Sequence, residues 1–442
     1  MSYAATYKTT WPEGYFWGPK EVGGTLARVS YLIATALVPL FVFFIESNFR
    51  EVDGETFNFD FQVALRLGLV ACCGAFGLFH IRRTFFHLER FPAAWSFLLI
   101  IWAAMTLPIA VKTDHAFAAT FALFGITLFA PAALLQLGPA RFLSLFCLGL
   151  LVFLVGCWVT WYVFPDLGRT SYNLFPQDYM GRERFAGLAP ANGTGRQAAL
   201  CTTLLLVLGC EKVWKWRYVI PSSMLSVYTL YATDSRTAML SAIAAATLIG
   251  LRMLGTRPLI LAFLMFGFIG SIGVFVREAG IVPVTADSVL SNVARTKDAE
   301  ELYSLTGRLG LWEFTWSKIK ASPVYGYGYG CARFVMPESG MVWGNFQAHN
   351  LLLNITLCLG LVGGGIVVLT MISQFYGMAF RRNLLPDALV VLVIVGGVGD
   401  MMMFSPIPDS HTLLWLTALY WRQTNAKLSN NPKTHWLGGI TA

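Results

Sequence analysis

Residues 346–373 read FQAHNLLLNITLCLGLVGGGIVVLTMIS. From Asn350 onward the run carries no charged side chain and exceeds the roughly 20 residues that a helix needs to cross a bilayer. Its mouth is polar. Asn350 and Asn354 stand one turn apart on one helix face, and burying their amides costs free energy unless they are hydrogen-bonded. His349 precedes them, with an imidazole that can accept a proton near neutral pH. A lone histidine at a helix end can equally be a structural donor.

Similar apolar runs recur along the chain. Of its 442 residues 56% are hydrophobic and 13% charged, the net charge is +8, and the mean hydropathy is +0.60. These values exclude an ordinary water-soluble domain, and no nucleic-acid partner is expected. The expected fold is all-α: a polytopic membrane protein of about twelve transmembrane helices forming a single domain over residues 1–442. The expected spans are 30–45, 62–80, 94–111, 116–136, 142–163, 197–210, 218–232, 237–251, 258–276, 350–373, 388–404 and 410–421. No cleavable signal peptide is expected, because the first apolar run is long enough to remain as a span. Seven of the eight cysteines lie in the apolar runs, a pattern that suggests neither disulfides nor a zinc site.

With the N-terminus cytoplasmic, the inner segments hold 17 Lys/Arg, while the four short outer loops hold Arg50, Lys112 and Arg236 alone. This is the asymmetry of the positive-inside rule. Two long outer segments, 164–196 and 277–349, carry eleven more. Long translocated segments escape that rule, so the question is what their cations meet, and an anion is the natural candidate.

Four stretches could carry chemistry. In "YATDSRTAML" Arg236 opens a small-residue span that Asp234 or Ser235 could cap. The helix N-terminus and the guanidinium fork both suit phosphate oxygens, although an arginine there could also snorkel to the interface. In "TGRLGLWEFTWSKIKASP" the apolar residues Leu309, Trp312, Trp316 and Ile319 recur at helical spacing, as in a helix on the membrane surface. Thr306 is the expected cap and Pro323 the stop. Arg308 then sits in the first turn, where a cation is unfavourable unless an anion joins it; the plain alternative is a solvated arginine. The "GYGYG" run that follows lacks the strand and helix of a dinucleotide fingerprint, and reads as a flexible, tightly turning loop over a site. The third stretch is the mouth at His349. The fourth, "GRERFAGLAPANGTGR", brings Arg182, Arg184 and Arg196, with a turn at Asn192–Gly195. Topology puts all of these residues on the outer face, where two or more arginines and a histidine suit a diphosphate beside a hydroxyl nucleophile.

The order "SRTA", "TGRLGLW" with "SPVYGYGYG", then "AHNLLLNITLCLGLVGG" resembles the O-antigen ligase family and its relatives the O-antigen polymerases. The likeness covers residues 230–370, and "GLAPANGTG" more loosely. It implies a GT-C-like glycosyltransferase of the bacterial inner membrane, with 277–349 as a large periplasmic loop containing surface helices. It would move a glycan from undecaprenyl diphosphate to a sugar hydroxyl of lipid A core, or to another lipid-linked repeat, with inversion. By position Arg236 and Arg308 would hold the diphosphate, with Arg184 and Arg196 as further candidates, and His349 would accept the proton. Asn350, Trp312 and Asn192 would support them. Neither metal nor nucleotide cofactor is implied. One rival detail is the acidic first outer loop "ESNFREVDGETFNFD" (Glu46, Glu51, Asp53, Glu55, Asp60), whose spacing fits no compact ligand set. A second class of function, an anionic solute or lipid transporter, predicts mid-membrane charges and broken helices; Arg66 and Asp400 are the deep ionisable candidates.

Overall fold

Where water cannot reach the backbone, each N–H and C=O must bond within its own segment, so apolar runs of this length fold as helices. The computed structural model describes residues 25–48, 61–82, 84, 93–165, 168, 184–254, 308–339, 346–380 and 383–430. Among the described residues all regular structure is helical. The order is α1 (Thr25–Glu46), α2 (Phe61–Phe79), α3 (Ala94–Met105), α4 (Thr113–Leu137), α5 (Pro139–Val163), α6 (Ala191–Cys210), α7 (Trp216–Ala232) and α8 (Arg236–Met253). Then come α9 (Arg308–Ala321), the short α10 (Ala332–Val335), α11 (Leu351–Phe380), α12 (Leu384–Gly399) and α13 (Ser410–Asn430).

Six of the described helices, α1, α2, α4, α5, α8 and α11, are long and apolar enough to cross a membrane, and α3 and α12 are shorter apolar helices. The chain is a multi-pass membrane protein. Of the boundaries that differ from expectation, two bear on the residues singled out above. α6 starts at Ala191 rather than 197, taking in the polar Asn192–Gln197 stretch. α12 stops at Gly399 rather than 404, because Asp400 is extended and Phe404 is left-handed at φ 61. The span expected at 258–276, most of segment 277–349, and Thr306, Arg182, Glu51, Asp53, Glu55 and Asp60 lie outside the described residues.

Close packing comes from small residues. A β-carbon on Gly74 of α2 would stand 3.1 Å from the Cα of Gly125 in α4, and one on Gly149 of α5 would stand 2.9 Å from the carbonyl oxygen of Pro39 in α1. α8 lays Ala238, Ser241, Ala242 and Ala245 into the interior and packs on α12. This pair is pinned at one end by a buried ion pair, Arg252 Nη2 to Asp387 Oδ2 at 3.0 Å, with Arg252 also donating to the Met378 carbonyl at 2.5 Å. The other end of the pair presents Arg236 and Asp400.

α11 is interrupted at Gly360 (φ 66). A break inside an apolar helix is tolerable only if other donors take the freed carbonyls. Here they do: the N–H of Gly328 donates to Cys358 at 2.8 Å, that of Tyr327 to Leu357 and Cys358 at 3.1 Å, and Trp102 Nε1–H to Leu359 at 2.8 Å. In return the Leu361 N–H donates to the Pro323 carbonyl at 2.7 Å. The GYGYG loop, expected to turn over a site, is packed at the break in α11. Its left-handed glycines let it pack closely: Gly326 against Cys358 and Gly360 at the gap in α11, Gly328 against Ala110, and Gly330 against Ala119 and Pro406.

α9 is a helix as expected, but its buried stripe is Leu311, Thr315 and Ile319, while Trp316 is exposed. Thr315 can face inward because its hydroxyl donates to the Leu311 carbonyl one turn earlier, at 2.6 Å.

Candidate active site

The C-terminus of α12 is the meeting point. Gly399 is closely approached from two sides: a β-carbon there would lie 2.9 Å from Arg308 Nη1 and 3.0 Å from Thr237 Oγ1. The lack of a side chain lets the first turns of α9 and α8 close on the end of α12. Arg308 and Arg236 are each the first residue of their helix, and both are half-buried. Ser235 takes the N-cap position of α8 with no side-chain cap hydrogen bond, so the expected hydroxyl cap is not formed there.

Asp400 follows, 5% exposed. Its Oδ1 accepts the Met401 N–H at 2.8 Å and lies 3.3 Å from His349 Nδ1; its Oδ2 lies 3.7 Å from Arg196 Nε. Arg196 Nη1–H also donates to the Met401 carbonyl. Burial alone would push the Asp400 carboxyl up, yet the Arg196 guanidinium, the hydrogen bond and charge of His349, and Arg308 together hold it well below the usual carboxylate range. Asp400 is thus an anion in a cationic setting. A neutral imidazole with a carboxylate at Nδ1 would carry its proton on that nitrogen and leave Nε2 as the acceptor.

His349 is held in a turn with a positive φ of 46. The next residue caps α11: Asn350 Oδ1 accepts the Leu353 N–H at 3.0 Å, and its Nδ2–H donates to the Val398 carbonyl at 3.1 Å, tying α11 to the end of α12. Asn354, 3% exposed, accepts the Ala348 N–H at 3.1 Å. Its burial is therefore satisfied, which answers the question that the polar mouth raises. Trp312 Nε1–H donates to the Ala348 carbonyl at 2.9 Å.

A second wall adjoins the first. Arg184 donates from Nε to the Thr233 carbonyl at 3.0 Å, and from Nη2 to Asn192 Oδ1 at 2.8 Å and to the Asp234 carbonyl at 3.3 Å. It braces the α7–α8 turn, where Asp234 is left-handed at φ 48. Gly195 of α6 backs against the same turn, since a β-carbon there would meet Ser235 Cβ at 2.7 Å. Contact thus runs from Arg184 through the turn beside Arg236 to Gly399, Arg308, Asp400, Arg196 and His349. The helix N-termini of α8, α9 and α11 add positive ends to this cluster.

Asp400 was legible in sequence only as a deep ionisable residue; its partnership with His349 was not. The signal was a single acid closing the apolar run "VVLVIVGGVGD". Arg66 caps α1 instead, donating from Nη2 to the Ser47 carbonyl at 2.5 Å. Glu46, from the acidic first loop, accepts the Ser410 N–H of α13 at 2.8 Å. Beside it Asp409 accepts the Thr412 N–H at 2.8 Å, and burial, then the Glu46 charge, pushes its carboxyl up to about 7. Among the described residues no group of three or more His, Cys, Asp or Glu could hold a metal ion.

Residues 221–368 match the family model described as O-Antigen ligase. The matched segment runs from α7 through α8 and α9 into α11, and so holds Arg236, Arg308, Trp312, His349, Asn350 and Asn354. Arg184, Asn192, Arg196 and Asp400 lie outside it. No curated protein matches the chain.

Proposed function

On the match of residues 221–368 to the O-Antigen ligase family model, we propose that this chain transfers a glycan from undecaprenyl diphosphate to a sugar hydroxyl of lipid A core, at the periplasmic face of the inner membrane. The observation that carries the reading is the cluster at the end of α12, where Asp400 touches His349 and Arg196 while Arg308 closes on Gly399. A histidine poised by a carboxylate and a set of arginines on helix N-termini are the two halves that such a transfer needs.

The step is a single displacement. The acceptor oxygen attacks the anomeric carbon, its proton passes to His349 Nε2, and the bond to phosphate breaks with its electron pair leaving on the diphosphate. Configuration inverts. Charge grows on the diphosphate as the bond breaks, so fixed cations there act most strongly at the transition state. We assign that task to Arg236 and Arg308, with Arg196 beside Asp400 and Arg184 on the adjoining wall, and to no metal. Asp400 stabilises the imidazolium that forms and keeps the ring in the tautomer that leaves Nε2 open. The topology that goes with this reading is the twelve-span one, cytoplasmic N-terminus and periplasmic 277–349.

Replacing Arg308 or His349 by alanine should abolish transfer while the protein remains inserted and folded; near-normal activity in both variants defeats the assignment. Ligase and polymerase differ in acceptor alone. Lipopolysaccharide from a null strain separates them: core without repeats marks a ligase, and core with one repeat marks a polymerase.

The broken α11 favours a second reading, a transporter. Against it, the break is filled by backbone and indole donors of the protein itself. Counterflow of a labelled anion in proteoliposomes, without glycan transfer, would restore it.

A further inference from the structure

A left-handed backbone is unfavourable for a residue with a β-carbon and persists only where its surroundings impose it. His349 adopts one, at φ 46. The imposing contacts sit on the preceding residue. Ala348 is fully buried, and side chains grip both of its backbone polar groups: Asn354 Oδ1 accepts the N–H at 3.1 Å, and Trp312 Nε1–H donates to the C=O at 2.9 Å. Asn354 also places its Nδ2 at 2.9 Å from the sulfur of Met401, the residue after Asp400. One buried amide therefore spans the turn bearing His349 and the turn bearing its carboxylate.

Trp312 adds a second link. It lies four residues after Arg308, on the same face of α9, so the indole that fixes the His349 turn also fixes the helix that starts with Arg308.

We propose that Trp312 and Asn354 are positioning residues of the transferase. They lock the Ala348 peptide, hold His349 in its left-handed turn on Asp400, and set the spacing between that imidazole and the Arg308 guanidinium. The proposal rests on the reading of His349 as the base.

The test compares W312F, N354L, their double variant and H349A, each purified full-length and reconstituted with undecaprenyl-diphosphate-linked glycan and core lipid A. W312F keeps an aromatic ring and deletes only the N–H donor. Expected for W312F is a fall in kcat of about tenfold to a hundredfold with donor KM kept within about twofold, as for a misplaced rather than missing group. Hydrogen exchange at residues 348–350 should quicken. N354L should act likewise, and the double variant should be little worse than the poorer single, because both act on one peptide. The proposal is overturned if W312F keeps its kcat. It is also overturned if kcat falls only together with melting temperature while exchange at 348–350 is unchanged, which is ordinary packing loss. H349A separates the two readings. If it is inactive while W312F turns over normally, only the positioning role fails; if H349A is itself active, the assignment of the base fails and the positioning role with it.

Discussion

Asp400→Asn removes one negative charge and keeps the side chain's shape, so its consequences can be worked from two contacts. Arg196 Nε stands 3.7 Å from Oδ2; at an effective dielectric of 20 that attraction is about 4 to 5 kcal/mol before desolvation is counted. Removing one partner of a fully buried pair costs about 3–5 kcal/mol. Arg196 retains its bond to the Met401 carbonyl, and its side chain is 21% exposed, which places the loss nearer about 2 kcal/mol. The second contact is His349 Nδ1 at 3.3 Å. In a serine-protease triad, converting the orienting aspartate to asparagine lowers kcat by about 10⁴. The contact here is longer than the ~2.7–2.9 Å of a strong charge-assisted bond, so a fall of about 10² is expected, from the lost tautomer and lost imidazolium stabilisation. Thermal melting in detergent reads the first effect, and steady-state transfer with saturating donor reads the second. If D400N turns over like the parent while H349A is dead, Asp400 does not orient the base.

Two further outcomes follow from the geometry. Asp409 is pushed up to about 7, above the roughly 3.9 of an unfolded aspartate, so the folded chain binds more protons between those values and stability falls as pH rises through them. Asp409→Asn keeps the acceptor for Thr412, and its melting temperature should drop less than the parent's between about pH 5 and about pH 8; equal slopes would contradict the burial of a protonated carboxyl. Gly360→Ala would put a β-carbon 2.0 Å from the Val324 carbonyl oxygen at a φ of 66. A loss of at least about 2 kcal/mol is expected from strain and clash, seen as a lower melting temperature and faster exchange at residues 322–330, and an unchanged melt would mean that the break in α11 closes freely.

Hydropathy located the long described helices because a bilayer leaves an apolar run few alternatives, and the charge rule predicts one outer face for Arg236, Arg308 and His349. The structure brings these residues to one end of the α8–α12 pair. Where reading failed, local composition was ambiguous. Residues 401–404 are as apolar as a helix but turn at Phe404, and Gly360 sits in a run that reads as continuous until the 322–330 loop is seen filling its gap. The protein-facing side of α9 was not read, because a threonine that bonds its own helix can be buried as readily as an apolar side chain. Asp400 was passed over because its partner lies 51 residues away in the chain, a pairing that no local pattern announces.

The most direct measurement is a structure of the full chain with undecaprenyl diphosphate bound. Phosphate oxygens within about 3 Å of the Arg236 and Arg308 guanidinium groups, hydrogen-bonding distance for such pairs, with the anomeric position facing His349 Nε2, is the predicted result. Phosphate density seated away from both arginines, or separated from His349 by protein, would contradict it.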